Sequence, residues 1–100
     1  MKEITVQELK QLIDEKKDFQ LIDVREEYEF DEANLKGELI SMGEVIENVQ
    51  KISKEKQVVV HCRSGKRSAT VINALESQFG FTNLYNLRGG ILAYIDEIGL

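Results

Sequence analysis

The chain has 100 residues, room for one compact α/β or α+β domain with one main site and too few for two domains. Apolar residues make up 42% and charged residues 31%, but the longest unbroken apolar run is five residues, Ile91 to Ile95, which excludes a transmembrane helix. One cysteine and one histidine exclude an internal disulfide and a Cys/His zinc module, no proline stiffens any loop, and a net charge of −5 argues against nucleic acid or an anionic membrane as partner.

Met1 to Thr5 is followed by neither an apolar stretch nor a small-residue cleavage site, so a cytoplasmic location is expected. A short strand at about Ile4 to Val6 is predicted to lead into a helix with Thr5 as N-cap and Glu8 as its capping-box partner. Leu9, Leu12 and Ile13 supply that helix's apolar stripe. Phe19 to Val24 reads as a strand running into a helix of about two turns from Arg25 to Phe30. Asp23 to Glu32 holds six carboxylates and one arginine, the pattern of a solvated helical surface.

A turn at Lys36-Gly37 precedes a weak strand, Glu38 to Ser41, and Val45, Ile46, Val49 and Ile52 then repeat at helical spacing. Gln57 to His61 is β-branched and continuous, as expected of a strand buried on both faces. A helix from about Lys66 to Phe79, closed by Gly80, a strand from Asn83 to Leu87 and an apolar helix after Gly89-Gly90 complete the chain. Strands alternating with helices at this pitch predict a mostly parallel sheet of about five strands with helices on both faces, one domain over residues 1–100. Ligands of such sheets bind beyond the carboxyl ends of the strands, here Asp23 to Arg25, Cys62 to Ser68 and Arg88 to Gly90.

Of these, Cys62 to Ser68 carries the strongest chemical signal. A cysteine directly after a buried strand, with a Gly-containing loop leading into a helix, sits where backbone N–H groups and the helix dipole point at its sulfur. No acidic residue lies between Glu55 and Glu76, whereas Lys56, Arg63, Lys66 and Arg67 give that stretch +4 against −9 for the rest of the chain. Taken alone, a free cysteine is most often a buried small hydrophobe. With the loop and the cations beside it, Cys62 is expected to have a lowered pKa and a nucleophilic sulfur, and Gly65 lets successive N–H groups converge on an anion.

The loop Cys62-Arg63-Ser64-Gly65-Lys66-Arg67-Ser68, the upstream Leu21-Ile22-Asp23-Val24-Arg25 with Glu29-Phe30, the Gly37 turn and Leu87-Arg88-Gly89-Gly90 together resemble the rhodanese family of single-domain sulfurtransferases, in order and over nearly the whole chain. The resemblance implies a rhodanese-like fold and a double displacement. Cys62 takes a sulfane sulfur from a small sulfur-containing anion such as thiosulfate, holds it as a persulfide, and yields it to cyanide, a small thiol or a protein thiol. Loop amides from Arg63 through Ser64, Gly65, Lys66 and Arg67 to Ser68 would cradle the charge, with Arg63, Lys66 and Arg67 as electrostatic partners and Arg67 matching the family's loop arginine. No cofactor or metal is implied.

The family also has an Asp-x-Arg pair where Asp23 and Arg25 stand. Asp23 is expected to support the site by capping and hydrogen bonds rather than to act as a general acid; the alternative has Asp23 capping the short helix and Arg25 pairing with Glu29. His61, one residue before Cys62 in a strand, should point away from it as a core or supporting histidine. Asn34-Leu35-Lys36-Gly37-Glu38 departs from the family's His-Ile-Pro-Gly-Ala, which leaves that turn's geometry open, and Tyr94 stands where an aromatic commonly follows the Gly-Gly turn. Two rivals remain. A cysteine phosphatase, or an arsenate reductase of similar scaffold, places its arginine six positions after the cysteine, where this chain has Ser68. A non-catalytic binding module of this fold typically lacks the loop cysteine, which this chain keeps.

Overall fold

Val58, Val59 and Val60 are all but inaccessible to solvent, so the strand that carries them, β4 (Gln57–His61), forms the centre of the molecule. Each buried valine contributes about 1.5–3 kcal/mol relative to an exposed one. Around β4 a computed structural model describing residues 1–100 arranges β1 (Lys2–Ile4), β2 (Phe19–Asp23), β3 (Glu38–Leu39) and β5 (Leu84–Leu87) in one five-stranded sheet of order β1-β5-β4-β2-β3. Every pairing is parallel, with Asp23 opposite His61 and Val60 opposite Asn86.

Side chains alternate across the sheet and make two cores. On one face Ile22, Val58 and Val60 pack with Val71, Ile72 and Leu75 of α3 (Lys66–Phe79). On the other, Val59 and Leu87 pack with Val6 and Leu9 of α1 (Val6–Asp14) and with Ile91 and Tyr94 of α4 (Gly90–Glu97). Thr5 ends β1 and starts α1: its hydroxyl accepts the Glu8 N–H at 3.1 Å, and the Glu8 carboxylate accepts the Thr5 N–H at 2.8 Å. The first strand therefore stops at Ile4, earlier than its apolar pattern suggests. No helix is long and apolar enough to cross a membrane.

The segment with helical spacing at Val45, Val49 and Ile52 differs from the expected α-helix. It forms two 3-10 segments, Met42–Glu44 and Ile46–Lys51, interrupted at Asn48 (φ −114°, ψ 22°). The Asn48 side-chain amide donates to the Glu44 carbonyl at 2.8 Å, a local bond that competes with the α-helical ladder. The apolar spacing still buries Val45 and Ile52. In the turn without proline, Asn34 takes over: it donates to the Phe30 carbonyl at 3.0 Å and accepts the Lys36 N–H at 2.8 Å, holding Lys36 at φ 63°.

Candidate active site

Because β2, β4 and β5 run parallel, their carboxyl ends gather at one edge, and Cys62 is the first residue beyond β4. Its side chain is on the α3 face and buried, at 1% exposure. The sulfur accepts a hydrogen bond from the Gly65 N–H at 3.1 Å and lies 3.4 Å from the Ser68 hydroxyl. Gly65 has φ 105°, a conformation that costs a side-chain-bearing residue and that turns the loop back over the sulfur before α3 begins.

Burial pushes the Cys62 thiol up, but the Ser68 hydroxyl and the N–H groups of Ser68, Gly65 and Ser64 outweigh it, so the net shift is downward. The groups that lower it are hydrogen-bond donors. The expectation from sequence also assigned the lowering to Arg63, Lys66 and Arg67; the charges of Arg67 and the sulfur do favour each other, but the largest lowering contributions come from the donors. Arg63 and Lys66 are exposed and make no ion pair, so water screens them. Arg67 is engaged elsewhere: its Nη1 and Nη2 donate to Glu29 Oε1 and Oε2 at 2.7 and 2.9 Å. The Arg67 guanidinium holds the Glu29 carboxyl down at about 2. Glu29 and the Cys62 charge both keep Arg67 protonated.

The loop is fastened from two sides. On the α3 face Asn86 of β5 accepts from the Ser68 hydroxyl at 2.6 Å and donates to the Gly65 carbonyl at 3.1 Å. The Ser68 hydroxyl has one proton for two acceptors, Asn86 Oδ1 and the sulfur, and a negative sulfur competes better for it. On the outside, the Ile91 and Leu92 N–H groups in the first turn of α4 donate to the carbonyls of Cys62 and Arg63 at 3.0 and 3.1 Å. These bonds hold both carbonyls outward and leave loop N–H groups turned toward the sulfur. A Cβ at Gly90 would collide with the Arg63 carbonyl and lie 2.7 Å from the Cys62 oxygen, which is why glycine stands there.

Asp23 and Arg25 form a buried pair on the opposite side of the sheet edge. The Asp23 carboxylate accepts from the Arg25 backbone N–H at 3.0 Å and from its Nη2 at 2.8 Å, and Nη2 also donates to the Ala33 carbonyl at 2.8 Å. Arg25 therefore anchors the end of α2 (Glu27–Glu32), so Asp23 is engaged in hydrogen bonds without being a cap, and the alternative in which it caps the short helix while Arg25 pairs with Glu29 does not describe the pair. Asp23 does not cap α2, which begins after Glu26, and Glu29 is taken by Arg67 rather than Arg25. His61 is fully buried and shares the Asp23 face, with Nε2 3.7 Å from Asp23 Oδ2 and neither ring nitrogen hydrogen-bonded. Burial holds its pKa below the ordinary value of 6.5 despite Asp23, so the ring is neutral at pH 7.

Between α2 and α4 a cleft of about 360 Å³ opens beside the loop, with Arg25 and Arg63 among its lining residues; Cys62 is not one of them. The sequence profile of the rhodanese-like domain matches residues 5–97 of the chain. The chain belongs to the rhodanese-like domain family. The "Putative sulfurtransferase YtwF" of Bacillus subtilis is 38% identical over 98 residues, covering 97% of this chain and 93% of that protein. The "Probable adenylyltransferase/sulfurtransferase MoeZ" of Mycobacterium tuberculosis is 32% identical over 95% of this chain, which spans only 25% of MoeZ. The crystal structure of a rhodanese-like domain protein from Staphylococcus aureus superposes with a TM-score of 0.86 at 33% identity, covering 98% of this chain and 95% of that one.

Within this rhodanese-like domain, the structure brings Cys62, Gly65 and Ser68 together, with Arg67 one ion pair away, and leaves Arg63, Ser64 and Lys66 exposed on the rim. Two residues that fasten the site were not singled out from the sequence for that role. Asn86 had one signal, a lone amide in the otherwise apolar run Leu84-Tyr85-Asn86-Leu87. Glu29 stood in the sequence as part of the family resemblance and as a possible partner of Arg25, with no local signal for Arg67.

Proposed function

We propose that this rhodanese-like domain is a sulfurtransferase that carries a sulfane sulfur as a persulfide on Cys62, taking it from an anionic donor such as thiosulfate and passing it to cyanide or a thiol. Membership of the family and the relatives named as sulfurtransferases support the general activity. The observation that carries the residue assignment is the sulfur itself, held within hydrogen-bond distance of the Gly65 N–H and the Ser68 hydroxyl at the carboxyl end of β4.

The Cys62 thiolate attacks the outer sulfur of thiosulfate. A sulfur–sulfur bond forms to Cys62 as the donor's own breaks, and the electron pair leaves with sulfite. The persulfide's negative charge moves one atom outward, where N–H groups of the loop from Arg63 to Ser68 face it. Arg63 and Lys66 attract the donor anion from the rim, and Arg67 is positioned by Glu29. Asp23 and Arg25 support the edge of the site. An acceptor nucleophile then takes the outer sulfur and restores the thiolate. The chain has no second cysteine to resolve the persulfide, so the acceptor comes from outside.

Incubation with thiosulfate, mercaptopyruvate or polysulfide followed by intact mass measurement tests this. A one-sulfur adduct that cyanide removes, and that is missing in Cys62→Ser, is expected. Absence of an adduct with every donor, or hydrolysis of p-nitrophenyl phosphate in its place, refutes it.

A further inference from the structure

β2 lies inside the sheet, between β4 and β3, where a parallel strand is ordinarily covered on both faces. Its neighbour obeys that rule: Val59, paired with Leu21, is inaccessible to solvent. Leu21 and Phe19 pack against the α1/α4 core but stay half-buried, because a groove of about 470 Å³ opens over them between the end of α1 and the turn before β3. Leu12 and Ile13 of α1 form one side of it, Leu35 and Gly37 the other. The turn lies so close to the strand that a Cβ at Gly37 would be 2.8 Å from the Leu21 side chain.

Two residues other than glycine have positive φ in this chain, Lys16 (54°) and Lys36 (63°), and both line this groove, one past the end of α1 and one in the turn. Glycine or asparagine adopts that conformation more readily, so local backbone preference does not explain a lysine at each position. Both lysines are exposed and neither forms an ion pair. The acids next to Lys16 in sequence are matched elsewhere, Asp14 with Lys10, Glu15 with Lys17 and Asp18 with Lys56. Glu38, the carboxylate in the lining, accepts from the Gln20 side-chain amide at 3.1 Å, and Gln20 alternates with Leu21 to the opposite face of the sheet. The groove therefore offers two uncompensated cations above an apolar floor.

The occupant complementary to this arrangement is an anion with an apolar body, and size decides between a small molecule and a protein. The volume falls within the range of small-molecule sites. Of the large exposed apolar side chains only Ile13 borders the groove, so its apolar surface does not continue toward the roughly 800 Å² that a protein interface buries on each partner. We propose that the groove binds a small amphiphilic carboxylate, with its head group between Lys16 and Lys36 and its hydrocarbon chain on Leu12, Phe19 and Leu21. The site is separate from the sulfur loop: no residue from Cys62 to Ser68 lines it, and the Cys62 side chain is on the other face of the sheet. It therefore stands independently of the sulfurtransferase reading.

Octanoate is the probe, titrated into the whole chain and followed by chemical-shift changes, with hexanoate to vary length and octylammonium to reverse the charge. Saturable shifts at Leu12, Ile13 and Leu21 are expected with octanoate. Hexanoate, two methylenes shorter, should bind about tenfold more weakly, the worth of that apolar surface, and octylammonium should give no saturable shift. Lys16→Gln/Lys36→Gln should weaken octanoate about fivefold, as expected for two exposed charges. Lys17→Gln/Lys54→Gln removes the same charge outside the groove and should change binding less than about twofold. All four lysines are exposed, and the amide spectrum shows that each variant is folded. Shifts that do not saturate, equal binding of hexanoate or octylammonium, or equal effects of the two double substitutions overturn the proposal. So does a response to an acidic apolar peptide with none to octanoate, which would make the groove a protein-docking surface.

Discussion

A sulfur nucleophile at neutral pH needs its charged form stabilised, and at Cys62 that stabilisation comes from short-range donors. The Ser68 hydroxyl and three backbone N–H groups more than offset the burial that opposes ionisation. Ser68→Ala removes a donor to the charged form and so raises the Cys62 pKa. Its iodoacetamide alkylation at pH 7 should slow by about tenfold, the worth of one hydrogen bond to a charged group. Lys66→Ala should change the rate less than about twofold at physiological salt, because an exposed, unpaired ammonium is screened. The reverse ranking would return the role to the cations. The cysteine was legible from its place after Val58-Val59-Val60-His61. The identity of its stabilisers was not, because Ser68 is oriented by Asn86, 18 residues further on.

The loop, α3 and α4 act as one assembly at the scale of secondary structure. The first turn of α4 binds the outer carbonyls of the loop, and Gly90, at φ 62°, allows the contact. Gly90→Ala adds a Cβ where there is carbonyl oxygen and penalises that φ. A loss of about 2–4 kcal/mol in urea unfolding is expected, together with slower sulfur loading. Gly43→Ala meets open space at ordinary φ and should fall within about 0.5 kcal/mol of the parent. Equal effects at the two sites would show that the close approach at Gly90 does not matter. The capped helices were readable because Thr5, Glu8 and Gly80 signal locally. The 3-10 segments were not, since Val45, Val49 and Ile52 give the same apolar face to either helix type, and the break at Asn48 is a side-chain choice.

Two internal groups tie the stability of the whole molecule to pH, in separate windows. His61 has a lowered pKa in the folded state, so below about 6.5 the unfolded chain takes up a proton that the folded one resists, and stability falls with acidification. Glu29, at about 2 against an ordinary 4.5, contributes stability that is fully present above 4.5 and lost as pH falls toward 2. With Arg67 part-exposed, that contribution is about 1–3 kcal/mol after screening. Urea midpoints measured from pH 7.5 to 3 should show both declines. His61→Gln should flatten the upper one and Glu29→Gln the lower. A profile that the first substitution leaves unchanged between pH 7 and 5 would mean that His61 charges in the folded protein.

By itself the sequence determined the alternation of strands and helices, the burial of β4 and the placement of a cysteine on a glycine loop after it, because apolar period, capping and turn chemistry act within a few residues of chain. Only the tertiary structure decided what surrounds the sulfur. The strand order β1-β5-β4-β2-β3 brings the ends of β2, β4 and β5 to one edge, where Asn86 meets Ser68, Glu29 takes Arg67 from across 38 residues of sequence, and α2 faces α4 over an open cleft. Such partners leave no local period to read, since their energies depend on distances that exist only once the sheet has formed.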